Sequence, residues 1–211
     1  MKNIICSHGF GVAADGRGMF PEIARAFPND TFLMFDYNQI LPNGDIVVSS
    51  LDEQATKLQD IINGQPSGSI LLCHSQGCII AGLVDLSKIS HVILLAPPVK
   101  MSMQRVIDKI ANRPGSEVHP DGLSRFLRSD GTVTLLSQNY VQSVNRRDPM
   151  KLYQTIANTT TTTIILATKD RVLGQTNIHE IQNVNHIAID GDHDFEGNAR
   201  LALIADLENI L

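Results

Sequence analysis

Six short apolar runs, at residues 2–7, 31–36, 69–74, 91–96, 162–168 and 184–190, constrain the fold of this chain more than any other feature. They are rich in Ile, Leu, Val, Phe and Thr, and none alternates cleanly with polar residues. A strand with one face in water alternates, whereas a strand of a parallel sheet, covered on both faces, does not. Helical patterns lie between several of these runs. Residues 51–62 place Leu51, Ala55, Leu58, Ile61 and Ile62 on one stripe, behind a capping box of Ser50 and Glu53, and Asn63-Gly64 ends the stripe. Another stripe begins near Met19 with Phe20, Ile23, Ala24 and Phe27. The stretch after residue 75 carries Ile79, Ile80, Leu83 and Val84, and the C-terminal run carries Leu203, Leu207, Ile210 and Leu211. The expected class is therefore α/β, with a mainly parallel sheet of about six strands flanked by helices.

A length of 211 residues suits one domain spanning 1–211 with a core of its own. One interval, 98–150, breaks the strand–helix rhythm. It follows Pro97, contains the turn-rich RPGSEVHPDG (113–122), and carries one helix-like stripe of Met103, Val106, Ile107 and Ile110. A small helical cap over one end of the sheet is the expectation; ordinary connecting helices are the alternative. The five threonines at 159–163 lead into IILAT and read as the entry to a strand.

The formal charge of −5 and the absence of any block of like charges argue against a nucleic-acid or anionic-membrane partner. Trp is absent and aromatics make up 5%, which also disfavours base stacking. No apolar stretch approaches the roughly 18 residues of a membrane span. The opening MKNIICSHGF is too early broken for a signal peptide. Cys6, Cys73 and Cys78 form no metal spacing and cannot all pair, so free thiols and a cytoplasmic location are expected.

Two stretches carry chemistry. In ILLCHSQGC (70–78) an apolar run ends at Cys73-His74-Ser75-Gln76-Gly77 and a helical stripe begins at once. That is the pattern of a nucleophile elbow, which holds a serine hydroxyl clear of the backbone and demands small residues two before and two after it. Gly77 meets the demand, and Cys73 stands where a glycine is usual. Serine needs a histidine base, itself oriented by a carboxylate. Downstream, TIILAT runs into Lys169-Asp170-Arg171, and NHIAID runs into Gly191-Asp192-His193-Asp194. Acid and histidine thus each follow the C-terminal end of a strand, the edge at which parallel sheets gather their ligands. Asp148, Asp192 and Asp194 compete with Asp170 for the orienting role. Asp192 and Asp194 are too close in sequence to reach Nδ1 easily, and Asp148 precedes Pro149 at the end of the interval.

Near the N-terminus, Gly9, Gly11 and Ala14 spell G-x-G-x-x-A, and Asp36 ends the next strand, as in a dinucleotide-binding fingerprint. There the third small residue lies inside a helix. Here Asp15-Gly16-Arg17-Gly18 would break that helix within its first turn, so the segment reads as a loop.

SHGFG (7–11), CHSQG (73–77), LLAPP (94–98), ATKDRV (167–172) and GDHDF (191–195) together resemble the α/β-hydrolase superfamily over nearly the whole chain. The antiparallel hairpin that usually leads that fold is not evident before His8-Gly9. The resemblance implies Ser75 as nucleophile, His193 as base, Asp170 as orienting acid and a cap in the irregular interval. It also implies an oxyanion hole from the backbone N–H groups of Phe10 and Gln76. His8, Gly9 and His74 are the expected substrate-side residues, although His8 reads equally as structural and His74 as packing. His186 reads as a core histidine, His119 with Asp121 lacks a second ligand pair, and Asp36 and Tyr37 could line the pocket or serve the loop. The implied function is hydrolysis of small to medium carboxylic esters or thioesters through an acyl-enzyme, with no cofactor and no metal. An acyltransferase, or a ligand-binding receptor on the same fold, remains open at this level.

Overall fold

The computed structural model describes residues 1–101, 107–108, 114–119, 122–128, 131–174 and 178–211. In chain order the strands are β1 (Asn3–Ser7), β2 (Thr31–Met34), β3 (Gln39–Ile40), β4 (Ile46–Val48), β5 (Ser69–His74), β6 (Ile89–Leu95), β7 (Ser124–Leu127), β8 (Val133–Leu136), β9 (Thr161–Ala167) and β10 (Asn185–Ile189). The helices are α1 (Met19–Ala26), α2 (Leu51–Asn63), α3 (Gln76–Ala81), α4 (Gln138–Asn145), α5 (Pro149–Thr159) and α6 (Asn198–Ile210).

The six apolar runs form one sheet in the order β10-β9-β6-β5-β1-β2, parallel throughout. Both faces are covered. Ile5, Leu71, Val92 and Ile164 pack with α2, α3 and α5 through Leu58, Ile79, Ile80 and Tyr153. Their sequence neighbours Ile4, Ile70, Ile93 and Ile165 pack on the other side with Met19, Phe20 and Ile23 of α1 and Leu203 and Leu207 of α6. Successive strand residues point to opposite faces, and here both faces are core, so the runs are continuously apolar. The chain grows outward from β1 to β2, then returns to β5 and grows the other way. The order reverses between β1 and β5, and open parallel sheets gather their ligands at the C-terminal ends of the strands at such a point.

The α2 capping box is present: Ser50 Oγ accepts from the Glu53 N–H, and the Glu53 carboxylate accepts from the Ser50 N–H. The threonine tract divides, with Thr159 ending α5 and Thr161 starting β9.

The interval 98–150 carries strands as well as helices. Among its described residues are α4, the start of α5 and the antiparallel hairpin β7–β8. The hairpin completes a second, four-stranded sheet, β3-β4-β8-β7, in which β4 and β8 are parallel. Val133-Thr134 supplies β-branched residues for β8, and Gly131, at φ 84°, supplies the turn. Asp45, on the β3–β4 connection, accepts the Val133 N–H at 2.8 Å and ties the two hairpins together. Of the expected stripe, Met103, Val106 and Ile110 lie outside the described residues; Ile107 is half-buried. Among the described residues no helix is long and apolar enough to cross a membrane.

Candidate active site

Ser75 joins β5 directly to α3 with φ 53° and ψ −120°, a conformation that costs a non-glycine residue energy. The surroundings hold it there. The Ser75 N–H donates to the Leu95 carbonyl at 2.9 Å, and its own carbonyl accepts from the Cys78 N–H at 3.0 Å. Two residues on, Gly77 lies so close to β1 that a Cβ would stand 2.2 Å from the Ser7 carbonyl oxygen. Ser7 Oγ donates to the Gly77 carbonyl at 3.1 Å and accepts from the Tyr37 hydroxyl at 2.7 Å, stitching β1, the end of β2 and the turn together. Cys73, two before the serine, is fully buried.

His193 follows β10 and Asp170 follows β9, one strand apart in the sheet. His193 Nε2 lies 3.0 Å from Ser75 Oγ, and its Nδ1 lies 2.7 Å from Asp170 Oδ2. A carboxylate beside Nδ1 fixes the proton there, which leaves the Nε2 lone pair facing the serine hydroxyl. The second Asp170 oxygen accepts the N–H groups of Val172 (2.8 Å) and Leu173 (2.9 Å). Burial pushes the Asp170 pKa up, but the His193 ring and these two N–H groups together outweigh it, so the carboxyl lies below its ordinary range.

The loop that carries His193 is held from both sides. His74 Nε2–H donates to the His193 carbonyl at 2.9 Å, and the two rings lie 4.9 Å apart. Burial first, and the neighbouring His193 second, lower the His74 pKa to about 4, so this ring is neutral near neutral pH. From α6, Arg200 donates to the Asp194 carbonyl at 2.6 Å and to Glu22 of α1 at 2.7 Å. Arg17, from the loop after β1, reaches the Asp194 carboxylate at 3.1 Å.

The Gly9–Gly11 segment is the wall opposite. A Cβ on Gly9 would lie 3.2 Å from Ser75 Cβ, a tight contact, so the absence of a side chain lets this backbone pass close to the serine. His8 is fully buried. Its Nε2 accepts the Tyr37 N–H at 3.0 Å, so Nδ1 carries the hydrogen and donates to the Gly9 carbonyl at 2.9 Å. Burial lowers its pKa and keeps it neutral. Asp36 accepts the Ala14 N–H at 2.6 Å. The acid that completes the dinucleotide fingerprint in sequence is thus spent on pinning the loop, and no helix begins before Met19.

The structure therefore brings Ser75, His193, Asp170, Gly9, Phe10, Gln76 and His74 to one edge of the sheet, and His8 directly beneath them. The remaining acids are engaged elsewhere: Asp148 caps α5 through the Lys151 N–H, and Asp192 accepts the Glu196 N–H at 2.9 Å. His119 pairs with Glu117 at 3.3 Å, while Asp121 lies outside the described residues. His186 is only half-buried; its Nε2 contacts the Ile181 carbonyl at 3.3 Å, and its Nδ1 lacks a partner among the described residues, so it is not the satisfied core histidine expected. His74, His193 and Asp194 have donor atoms within 4.8 Å of one another. Both His193 ring nitrogens and His74 Nε2 are already hydrogen-bonded, so the group does not fit a metal ion. A cavity of about 610 Å³ borders His193, with Lys169, Asp192, Asp194 and Asn198 in its walls.

Sequence reasoning marked Tyr37 at this edge, where it bonds Ser7 and His8, but missed Gln54, Tyr140, Arg17 and Arg200 as supports of this site. Arg200 has the one visible signal: a long cationic residue inside the apolar C-terminal stripe.

No protein-family model and no curated protein sequence matches the chain. Solved structures do. Est1E of Butyrivibrio proteoclasticus superposes with a TM-score of 0.69 at 18% identity, over 99% of this chain and 86% of its own. A hydrolase from Oleispira antarctica gives 0.67 at 17% identity, over 99% and 92%. A thioesterase domain from the curacin biosynthetic pathway gives 0.65 at 14% identity, over 99% and 91%. With its parallel sheet, strand order and serine elbow, the chain has the α/β-hydrolase fold.

Proposed function

We propose that this protein is a serine hydrolase that cleaves carboxylic esters or thioesters of small to medium acyl groups through an acyl-enzyme. The observation that carries the reading is the continuous row from Asp170 through His193 (2.7 Å) to Ser75 Oγ (3.0 Å), with the serine held at φ 53° on its turn. A strained, over-determined residue in line with a histidine and a carboxylate is what nucleophilic catalysis requires. Ser75 Oγ attacks the acyl carbon while its proton passes to His193 Nε2, and Asp170 stabilises the imidazolium so formed. The N–H groups of Phe10 and Gln76 receive the negative charge on the carbonyl oxygen. His193 returns the proton to the departing alcohol or thiol, then takes one from the attacking water and passes it to Ser75 Oγ as the acid leaves. His8 supports this arrangement from outside the row. Its hydrogen bond to the Gly9 carbonyl fixes the Gly9–Phe10 peptide, whose N–H is one of the two donors.

A thioesterase domain and a hydrolase among the superposed structures support the substrate class. The three buried, unpaired cysteines suit the cytoplasm. The test is turnover of p-nitrophenyl acetate and butyrate together with fluorophosphonate labelling. Ser75→Ala should abolish labelling and lower turnover by several orders of magnitude. Labelling that persists in that variant would remove Ser75 from the mechanism.

A further inference from the structure

Tyr140, on helix α4 of the irregular interval, touches both residues assigned to the oxyanion hole. Its ring stacks on Phe10, with centroids 5.5 Å apart and planes 29° from parallel. Its hydroxyl donates to Gln76 Oε1. The Gln76 side chain passes the bond on: its Nε2 donates to Gln54 Oε1 at 2.9 Å, and Gln54 Nε2 donates to the Ser49 carbonyl at 2.6 Å. Every donor in this chain points the same way, from α4 under the serine turn to the start of α2. Tyr140, Gln76 and Gln54 are all buried, so water cannot replace a lost member without cost.

The tyrosine is itself anchored. Ser137 Oγ accepts the Tyr140 N–H at 3.2 Å and starts α4. Ser143 Oγ donates to the Tyr140 carbonyl at 2.7 Å and accepts the Leu51 N–H at 3.0 Å, docking α4 on the first residue of α2. The two loops that would supply oxyanion donors come from different strands, β1 and β5, and Tyr140 spans them.

We infer that Tyr140 is a positioning residue for the oxyanion hole, fixing the relative placement of the Phe10 and Gln76 backbones from the inserted segment. This rests on the serine-hydrolase reading above. It gives the insertion a role in the site: α4 sets the geometry in which charge is received. Preorganised donors act in proportion to how little they must move when the charge forms, so loosening them lowers kcat and leaves substrate binding largely unchanged.

The test compares Tyr140→Phe, Gln76→Met and the double variant on p-nitrophenyl butyrate, with inhibition by phenylboronic acid as the second readout. Tyr140→Phe retains the ring and removes one hydroxyl. It should lower kcat about tenfold with KM little changed, a fraction of the loss seen when an oxyanion donor is deleted outright. It should weaken boronate inhibition by a similar factor. Because the hydroxyl acts through the Gln76 side chain, Gln76→Met should show the same loss, and the double variant no more than the larger single loss. Unchanged kcat in Tyr140→Phe, equal losses in kcat and in substrate affinity, or losses that multiply in the double variant would overturn the inference. Should Tyr140→Phe fail to fold, Gln76→Met alone decides, since an unaltered kcat there excludes action through Gln76. If the unaltered protein shows no Ser75-dependent turnover, the hydrolase reading itself falls and the positioning role with it.

Discussion

Arg200 donates a 2.6 Å hydrogen bond to the carbonyl of Asp194, the residue after His193. The guanidinium also pairs with Glu22 at 2.7 Å, and its side chain is 8% exposed. One buried cation therefore clamps helices α1 and α6 to the loop that presents the histidine. Arg17 meets the same aspartate from outside, at 3.1 Å, but its side chain is 57% exposed. Arg200→Met should cost about 2 kcal/mol of stability, the usual range for hydrogen bonds to a charged group, and should lower kcat as the histidine loop loosens. Arg17→Ala should change stability by less than about 1 kcal/mol, as exposed ion pairs do. Urea unfolding of the two variants beside the unaltered protein decides; equal effects would mean that burial is not what gives Arg200 its importance.

Gly77 allows no side chain. An alanine Cβ would stand 2.2 Å from the Ser7 carbonyl oxygen, a backbone atom of β1 that cannot swing aside. Gly77→Ala should destabilise the fold by about 3 kcal/mol or more, as overpacking against backbone does, or leave it insoluble. Gly64→Ala provides the contrast. Gly64 ends α2 in right-handed helical geometry, and the nearest atom to its Cβ position is 3.5 Å away. Thermal unfolding should find that variant unchanged or slightly more stable, since alanine reduces the freedom of the unfolded chain.

The sequence exposes the parts of this fold whose cause is local. Continuous apolar runs such as ILLCH mark strands because both faces of the large sheet are covered, and all six were found within a few residues. The α2 cap is legible because Ser50 and Glu53 bond each other across one turn. The small sheet is not legible, since β4 is three residues long and its parallel partner β8 lies some ninety positions away. Nothing near Ile46 announces Thr134. The same holds within the site. Ser75, Asp170 and His193 follow strands in a recognisable order, whereas Tyr140 and Gln54 matter only through contacts that folding creates. His186 reads as core from its mid-strand place, yet β10 is an edge strand and leaves the ring half-buried.

His74 makes a prediction about acid stability. Its folded pKa is lowered to about 4 from an ordinary 6.5, through burial first and the neighbouring His193 second. As the pH falls below 6.5 the unfolded chain takes up a proton that the folded ring refuses, so stability declines from there down to about pH 4. Above pH 6.5 both states are neutral and the ring contributes no slope. His74→Gln retains an N–H donor for the His193 carbonyl and removes the titration. The loss of thermal stability between pH 7 and pH 4 should therefore be shallower in His74→Gln than in the unaltered protein. Parallel curves would show that folding does not lower the His74 pKa.

Substitution at Asp170 and at Asp148 tests which carboxylate is the proposed orienting acid. Asp170 gives one oxygen to His193 Nδ1 and the other to two backbone N–H groups, so asparagine would keep the shape of the turn but lose the charge. An amide facing Nδ1 can present its N–H, which favours the wrong histidine tautomer and puts a hydrogen on Nε2 toward the serine. Asp170→Asn should lower kcat by about 10³ to 10⁴, as loss of the charged partner does in serine triads, with the fold intact by circular dichroism. The charge also bears on stability. The folded Asp170 pKa lies below 3.8, the ordinary value, so its stabilisation is complete above that pH and disappears as the pH falls through the lower folded value. The gap in unfolding midpoint between the unaltered protein and Asp170→Asn should therefore be widest near neutrality and narrow below pH 3.8. Asp148 instead caps α5, accepting the Lys151 N–H, and it makes no contact with His193. Asp148→Asn should keep kcat within about twofold, because asparagine is nearly as good a helix cap as aspartate. A crippled Asp148→Asn beside a normal Asp170→Asn would move the orienting role from Asp170 to Asp148.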